Sequence, residues 1–192
     1  PVMIRADKAQ DIQSAISFGV EQKVRVIILG GYDAELCADL LIKHNVPVII
    51  SAVYRLPQRR DESYDAAYTL PERLKKAGIK FCISGTDRSE TWNARTLPYH
   101  AATAAAFGLS EEDAIRSITL SPAEILGVAD RIGSLEIGKD ASLIVTDGSL
   151  LETTTNTLAA YIQGRKIDLS NRHLRLYKKY ETRYKQAKQS GK

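Results

Sequence analysis

The carboxylate best placed for chemistry in this sequence is Asp87, in the stretch SGTD. It comes directly after a short apolar run, residues 81–83, that reads as a buried strand. An acidic side chain just beyond the carboxyl end of a buried strand is a common position for a proton acceptor or a metal ligand. Because GTD is also ordinary turn chemistry, a turn-forming aspartate is the alternative interpretation.

Three further side chains are candidates for substrate contacts. Arg5 lies near the end of the first predicted strand, and a guanidinium can hold a carboxylate with two parallel hydrogen bonds. Asn93 and Arg95 follow Asp87 in the stretch TWNAR. The alternatives are a solvent-facing arginine at position 5, and a role for Asn93 and Arg95 in fixing a loop.

The elements that must position these residues alternate between strand and helix. The predicted strands are residues 2–6, 24–29, 46–53 and 79–84, and the helices between them are residues 8–20, 34–44 and 71–77. The strands are uniformly apolar, which is typical of a parallel sheet covered on both faces. Repeated strand–helix units predict an α/β fold, either a doubly wound sheet or a (β/α)8 barrel.

Beyond Asp87 the pattern changes to helices and then to β elements. The predicted helices are residues 98–107, 110–118 and 121–127, followed by β elements within 133–148 and 157–169. Two such hairpin-like pieces do not form a core alone, so we expect them to join a larger sheet. Residues 171–189 are predicted to form a basic helix.

Charge and composition limit the classes of partner. The net charge is +4, but residues 171–192 carry eight Lys or Arg and one Glu, so the rest of the chain carries −3. A mildly acidic body does not indicate a nucleic-acid partner. The sequence contains no apolar run of about 18 residues, so no membrane span is predicted. The two cysteines, Cys37 and Cys82, lie among apolar residues and are predicted to be buried thiols.

The stretch SPAEILGVADRIGSLEIGKDASLIVTDGSLLE resembles the C-terminal signature of the amidohydrolase superfamily, especially its imidazolonepropionase-like branch. Ser142 stands where that family usually has Asp. The resemblance implies that residues 1–128 are the second half of a (β/α)8 TIM-type barrel, made of four βα units. It implies further that residues 129–170 are part of a small composite β-sandwich and that residues 171–192 are a basic C-terminal helix or tail.

The resemblance also implies hydrolysis of a non-peptide carbon–nitrogen bond, in an amide or a cyclic amide. Such enzymes are typically metal-dependent, and a divalent ion lowers the pKa of its bound water to about 7. Their ligands are an H-x-H pair after strand one, sometimes a carboxylated lysine after strand four, histidines after strands five and six, and an aspartate after strand eight. Asp87 matches the last of these and would ligate metal and accept a proton, whereas Arg5 and Gly30 occupy the places of the two single histidines.

These observations leave several hypotheses open. We expect the full-length protein to be a hydrolase acting on a small molecule, with one divalent ion, zinc first, held by an H-x-H upstream of residue 1 and by Asp87. A metal-less relative that binds a small molecule through Arg5 and Asp87 is the alternative, as is an inactive structural fragment. A half barrel leaves open edges, so we expect the chain to need a missing N-terminal half or to self-associate, and to be inactive alone.

Overall fold

The computed structural model describes residues 1–85 and 93–189. Its first sheet has four parallel strands in the order β1-β2-β3-β4: β1 Val2–Ala6, β2 Val26–Gly30, β3 Val48–Ile50 and β4 Phe81–Ile83. The strand order follows the chain order without reversal, as it does for successive strands of a (β/α)8 barrel. The predicted α/β fold with a parallel sheet is confirmed, and the half barrel remains a prediction.

Helices connect the strands and cover one face of this sheet. They are α1 Ala9–Gln22, α2 Ala38–Lys43 and α3 Ala66–Lys76, and a 3₁₀ turn, Ala34–Cys37, precedes α2. In α1 the buried residues Ile12, Ala15, Ile16 and Gly19 recur at helical spacing. This one-sided burial explains why α1 forms where the sequence predicts it.

The third helix begins five residues earlier than the sequence pattern suggested. Pro71 was interpreted as a first-turn proline, but it lies inside α3. The buried residues Ala67, Leu70, Pro71 and Leu74 keep one helical face on the core. That packing offsets the backbone hydrogen bond that a proline inside a helix cannot donate.

Three helices follow β4 and a 3₁₀ turn, Ala94–Thr96: α4 Leu97–Ala106, α5 Glu111–Ile118 and α6 Leu120–Leu126. Ser110 caps α5, since the Asp113 amide donates to Ser110 Oγ at 3.1 Å. Gly127 ends α6 in the left-handed conformation, with φ 77°. The helix start at Ser121 that the sequence predicted lies inside α6, whose N-cap residue is Thr119 and has no side-chain cap hydrogen bond.

The two faces of the parallel sheet have separate cores. Ile28, Val48 and Ile50 pack against the helices. Their neighbours Ile27, Ile49 and Cys82 point to the opposite face, where Ile125 of α6 covers them. Both faces are therefore apolar and covered, as the uniformly apolar strands predicted.

The C-terminal part contains a separate antiparallel sheet. Its strands are β5 Leu143–Thr146, β6 Thr157–Ile162 and β7 Arg165–Lys166, in the order β5-β6-β7. The last helix, α7 Arg172–Gln189, buries none of its residues. Within residues 1–85 and 93–189, no helix combines the length and the apolar character needed to cross a bilayer.

Candidate functional site

The candidate site lies at the carboxyl ends of the four parallel strands, which meet at one edge of the sheet. Three of these ends are followed by polar turns: Asp7 comes after β1, Gly31 to Asp33 after β2, and Ser51 after β3. Ligands of open α/β sheets bind at this edge. The residues that follow the strands are therefore the ones whose chemistry matters.

The first two turns are joined by backbone hydrogen bonds. The Gly31 amide donates to the Ala6 carbonyl at 2.9 Å, and the Asp33 amide donates to the Asp7 carbonyl at 2.9 Å. Gly30 and Gly31 have φ values of 110° and 70°, in the region that favours glycine. The Gly31 and Asp33 amides are thus committed to the backbone, which favours a tight turn over an anion site at Gly30 and Gly31.

Asp7 packs its carboxylate into the space beside Gly30. A Cβ added at Gly30 would overlap Asp7 Oδ1. This oxygen is buried and has no hydrogen-bond partner among the residues that the structure describes. Burial raises the pKa of Asp7, and the nearby charges of Arg5 and Arg55 oppose that rise.

Asp33 is held by a two-pronged ion pair with Arg59. Arg59 Nη2 donates to Asp33 Oδ1 at 2.5 Å, and Arg59 Nη1 donates to Asp33 Oδ2 at 3.2 Å. The same Oδ2 accepts from the Ala9 amide at 3.2 Å, at the start of α1. The hydrogen bonds from Arg59 hold the pKa of Asp33 below its usual range. Asp33, which follows β2, therefore contacts both the first residue of α1 and the loop of residues 54–65.

Arg55 and Glu62 extend this contact chain along the same loop. Glu62 accepts from Arg59 Nε at 3.1 Å and from the Gln58 amide at 2.7 Å. Arg55 Nη1 lies 3.5 Å from Glu62 Oε2, and its guanidinium stacks 3.9 Å from the Tyr32 ring centroid. The side chain of Arg55 is only 10% exposed, so this is a packed cation and not a surface arginine.

Two of the predicted substrate-binding residues lie beyond β4, at the opposite edge of the sheet from Arg5. Arg5 is an exposed residue of β1, in register with Leu29 of β2. Asn93 is half-buried just before the 3₁₀ turn, where its carbonyl accepts from Thr96 Oγ1 at 2.7 Å, and Arg95 is exposed. Three strand spacings, about 14 Å along a flat sheet, separate β1 from β4.

The predicted catalytic and metal-binding residue, Asp87, lies outside the described residues. Its role therefore stays a prediction, as do the substrate contacts of Arg5, Asn93 and Arg95.

The strand-end residues of β1 and β2 do not fit a metal ion. Arg5 carries a permanent charge and cannot ligate a metal, and Gly30 has no side chain. Within residues 1–85 and 93–189, no group of three or more His, Cys, Asp or Glu side chains is arranged to hold an ion. The carboxylate of Asp33 is already paired with a guanidinium.

Sequence reasoning missed the residues that make most of these contacts. Arg55, Arg59 and Glu62 lie in the stretch YRLPQRRDESYD, which reads as a polar loop, and neither Asp7 nor Asp33 was predicted to have a role. The available signal was the run of arginines in this loop followed directly by acidic residues, as in RRDE. His100 is buried, and its ring centroid lies 4.4 Å from that of Tyr54.

Comparison with known proteins places the chain in a family. The model of the amidohydrolase family matches residues 12–170. Among curated proteins, the amidohydrolase tasK of Hapsidospora irregularis is 33% identical over 125 residues, which are 58% of this chain and 12% of that protein. A structure of an amidohydrolase from Thermotoga maritima matches with a TM-score of 0.77 and 29% identity over 88% of this chain and 43% of that one.

A second solved structure, an adenosine deaminase from Xanthomonas campestris with bound zinc, matches with a TM-score of 0.59 and 21% identity. This match covers 97% of the present chain and 51% of the deaminase chain. The present chain therefore spans about half the length of each of these two solved proteins. Members of the family are generally metal-dependent. The match over residues 12–170, with the parallel sheet of the same fold, shows that the chain belongs to the amidohydrolase family.

Proposed function

We propose that the full-length protein hydrolyses a carbon–nitrogen bond, in a non-peptide amide or a cyclic amide, and that this chain is its C-terminal half. The observation that carries the proposal is the family match over residues 12–170, in a chain whose polar strand ends gather at one edge. The stretch GSLEIGKDASLIV supports assignment to the imidazolonepropionase-like branch. The substrate is a small molecule bound across the mouth of the completed barrel.

In this proposal the catalytic work of the chain falls on the segment that follows β4. Asp87 accepts a proton from the attacking water, and Asn93 and Arg95 orient the substrate. One divalent ion, with zinc as the first candidate, would be held by Asp87 and by residues of the missing half. The ends of β1 and β2 supply it no ligand.

The test uses the full-length protein with a panel of N-acylated amino acids and cyclic amides. Asp87→Asn should lower kcat at least about a hundredfold, which is the usual contribution of a positioned proton acceptor. Asp130→Asn changes an exposed carboxylate in the same way and should leave kcat unchanged. Equal activity of wild type and Asp87→Asn on every hydrolysed substrate would contradict the assignment.

A second candidate function is favoured by Arg5 and Gly30. Neither residue can ligate a metal ion. In this alternative the full-length protein has lost hydrolytic activity and binds a small molecule without turning it over. Calorimetry would then give saturable binding of a panel member without turnover, and Arg5→Ala would weaken it. Metal analysis separates the two functions, since zinc, iron or manganese well below one equivalent favours the second.

The partner that we propose is the missing N-terminal half. Val2 and Met3 of the edge strand β1 are 41% and 48% exposed, so an apolar strand edge is open in this chain. Size measurement of the chain alone should give association through this edge. Adding the N-terminal half should replace those contacts with a one-to-one complex, and a well-behaved monomer alone would contradict this proposal.

A further inference from the structure

The ends of β1, β2 and β3 carry acidic and basic side chains that lie close to one another. We call Asp7, Tyr32, Asp33, Arg55, Arg59 and Glu62 the rim network; Asp7 belongs to it through its carbonyl, which accepts from the Asp33 amide. It holds three carboxylates and two guanidiniums, and the charges of Arg5 and Asp11 also act on Asp7. The Asp33 and Glu62 carboxylates are both paired with guanidiniums, so a metal ion could bind either one only by displacing Arg55 or Arg59.

The rim network also closes on itself. Asp33 links to Arg59, Arg59 to Glu62, and Glu62 to Arg55, all through side-chain contacts of 3.5 Å or less. Arg55 then returns to the β2 turn by stacking on Tyr32, whose hydroxyl lies 3.4 Å from Ser51 Oγ. These contacts fasten the loop of residues 54–65 to the turns that follow β1 and β2.

Position 30 is closed to a ligand side chain for two separate reasons. The backbone φ of Gly30 is 110°, and a residue other than glycine is strained at this angle. The Asp7 carboxylate occupies the space into which a Cβ would project. A histidine at position 30 would thus require both a different turn and a displaced Asp7, so more than one substitution separates this rim from a metal-binding one.

From these observations we propose that the rim network replaces a metal ion at the ends of β1 and β2. The guanidiniums of Arg55 and Arg59 supply the positive charge there and clasp the loop of residues 54–65, and this half of the mouth holds no metal. The inference deepens the proposed function, on which it rests for the position of the active site. Any metal of the full-length protein lies away from Asp7 and Asp33.

The test is a cobalt(II) titration of the full-length protein, followed by visible absorption and metal analysis. Wild type, Asp7→Asn and Asp33→Asn should bind the same number of equivalents, no more than one. Asp61→Asn, an exposed carboxylate of the same loop, is the matched control. A cobalt equivalent that is lost in Asp7→Asn or Asp33→Asn but kept in Asp61→Asn would overturn the proposal. The number of bound cobalt equivalents does not depend on turnover. Failure of the hydrolase assignment would therefore appear as absent turnover, and failure of this proposal as a cobalt equivalent lost in Asp7→Asn or Asp33→Asn.

The clasp is tested separately by hydrogen exchange. Arg59→Ala removes two charge-assisted hydrogen bonds to Asp33, so exchange in residues 54–65 should accelerate about tenfold or more. Arg59→Lys keeps the charge without the two-pronged geometry and should give a smaller acceleration. Unchanged exchange in Arg59→Ala would overturn the clasp.

Discussion

The two β-sheets of this chain are covered to very different degrees. In the parallel sheet Ile28 and Ile50 are fully buried, whereas in the antiparallel sheet Ile144, Leu158 and Ile162 are 49%, 61% and 57% exposed. The first sheet carries its own helices on one face and α6 on the other. The second has an apolar surface that its own segment does not cover, which is what a composite sandwich built from both chain ends would leave behind.

The largest expected effects come from the parallel-sheet core. Leu70→Ala, at a fully buried position, should lower the free energy of unfolding by about 2–5 kcal/mol. In the chain alone, Leu158→Ala should change it by no more than about 0.5 kcal/mol, because that side chain is largely in solvent. Denaturant unfolding of both variants measures the contrast.

The same pair sharpens the comparison when the full-length protein is used. If the missing half covers the antiparallel sheet, Leu158→Ala should cost more than about 1 kcal/mol there. An effect of Leu158→Ala that is equally small in both proteins would show that this sheet stays uncovered.

An intermediate effect is expected at Gly30. Gly30→Ala places a side chain at a positive φ and against Asp7, and should destabilise the chain by about 1–3 kcal/mol. Gly138→Ala is the control, because that glycine also has a positive φ, 97°, but no atom within 4 Å of the added Cβ. Thermal unfolding should give the larger loss for Gly30→Ala, and equal losses would contradict the packing of Asp7 beside Gly30.

The two rim aspartates should respond to pH with opposite signs. The pKa of Asp33 is lowered, so its stabilisation is complete above the unfolded value of about 3.9 and is lost as pH falls toward the folded pKa. The pKa of Asp7 is raised, so its ionisation destabilises the fold as pH rises from about 3.9 through the folded pKa.

Unfolding of Asp33→Asn and Asp7→Asn between pH 3 and pH 7 checks these signs. At pH 7, Asp33→Asn should be less stable than wild type, whereas Asp7→Asn should be as stable or more stable. A loss of stability in Asp7→Asn at pH 7 equal to that in Asp33→Asn would mean that the Asp7 carboxylate is well solvated or paired.

The smallest effect is expected from the C-terminal helix. Removal of residues 171–192 deletes α7, which buries none of its residues, and should change the free energy of unfolding by less than about 0.5 kcal/mol. A larger loss in denaturant unfolding would indicate that the basic helix packs on the acidic body.

Local chemistry was readable from the sequence and long-range contacts were not. The Ile12 and Ile16 spacing, the Ser110 cap and the Gly127 stop each depend on residues within a few positions, and the structure has all three. The start of α3 was wrong because Pro71 was weighed more heavily than the buried spacing of Ala67, Leu70 and Leu74.

The rim network could not be read from sequence for a related reason. Asp33 and Arg59 are 26 residues apart, and only the order of the parallel strands brings them together. Arg5 and Gly30 nevertheless stood out as departures from the family pattern. The ion pair between Asp33 and Arg59 and the stacking of Arg55 on Tyr32 became visible only in the structure.

Anomalous diffraction at the zinc edge, from zinc-soaked crystals of the full-length protein, will show whether the ends of β1 and β2 form a metal-free rim. A metal-free rim gives no anomalous peak within about 2.2 Å, the zinc–oxygen bonding distance, of the Asp7 or Asp33 carboxylate. A peak bonded to either carboxylate, with Arg55 and Arg59 displaced, would contradict it.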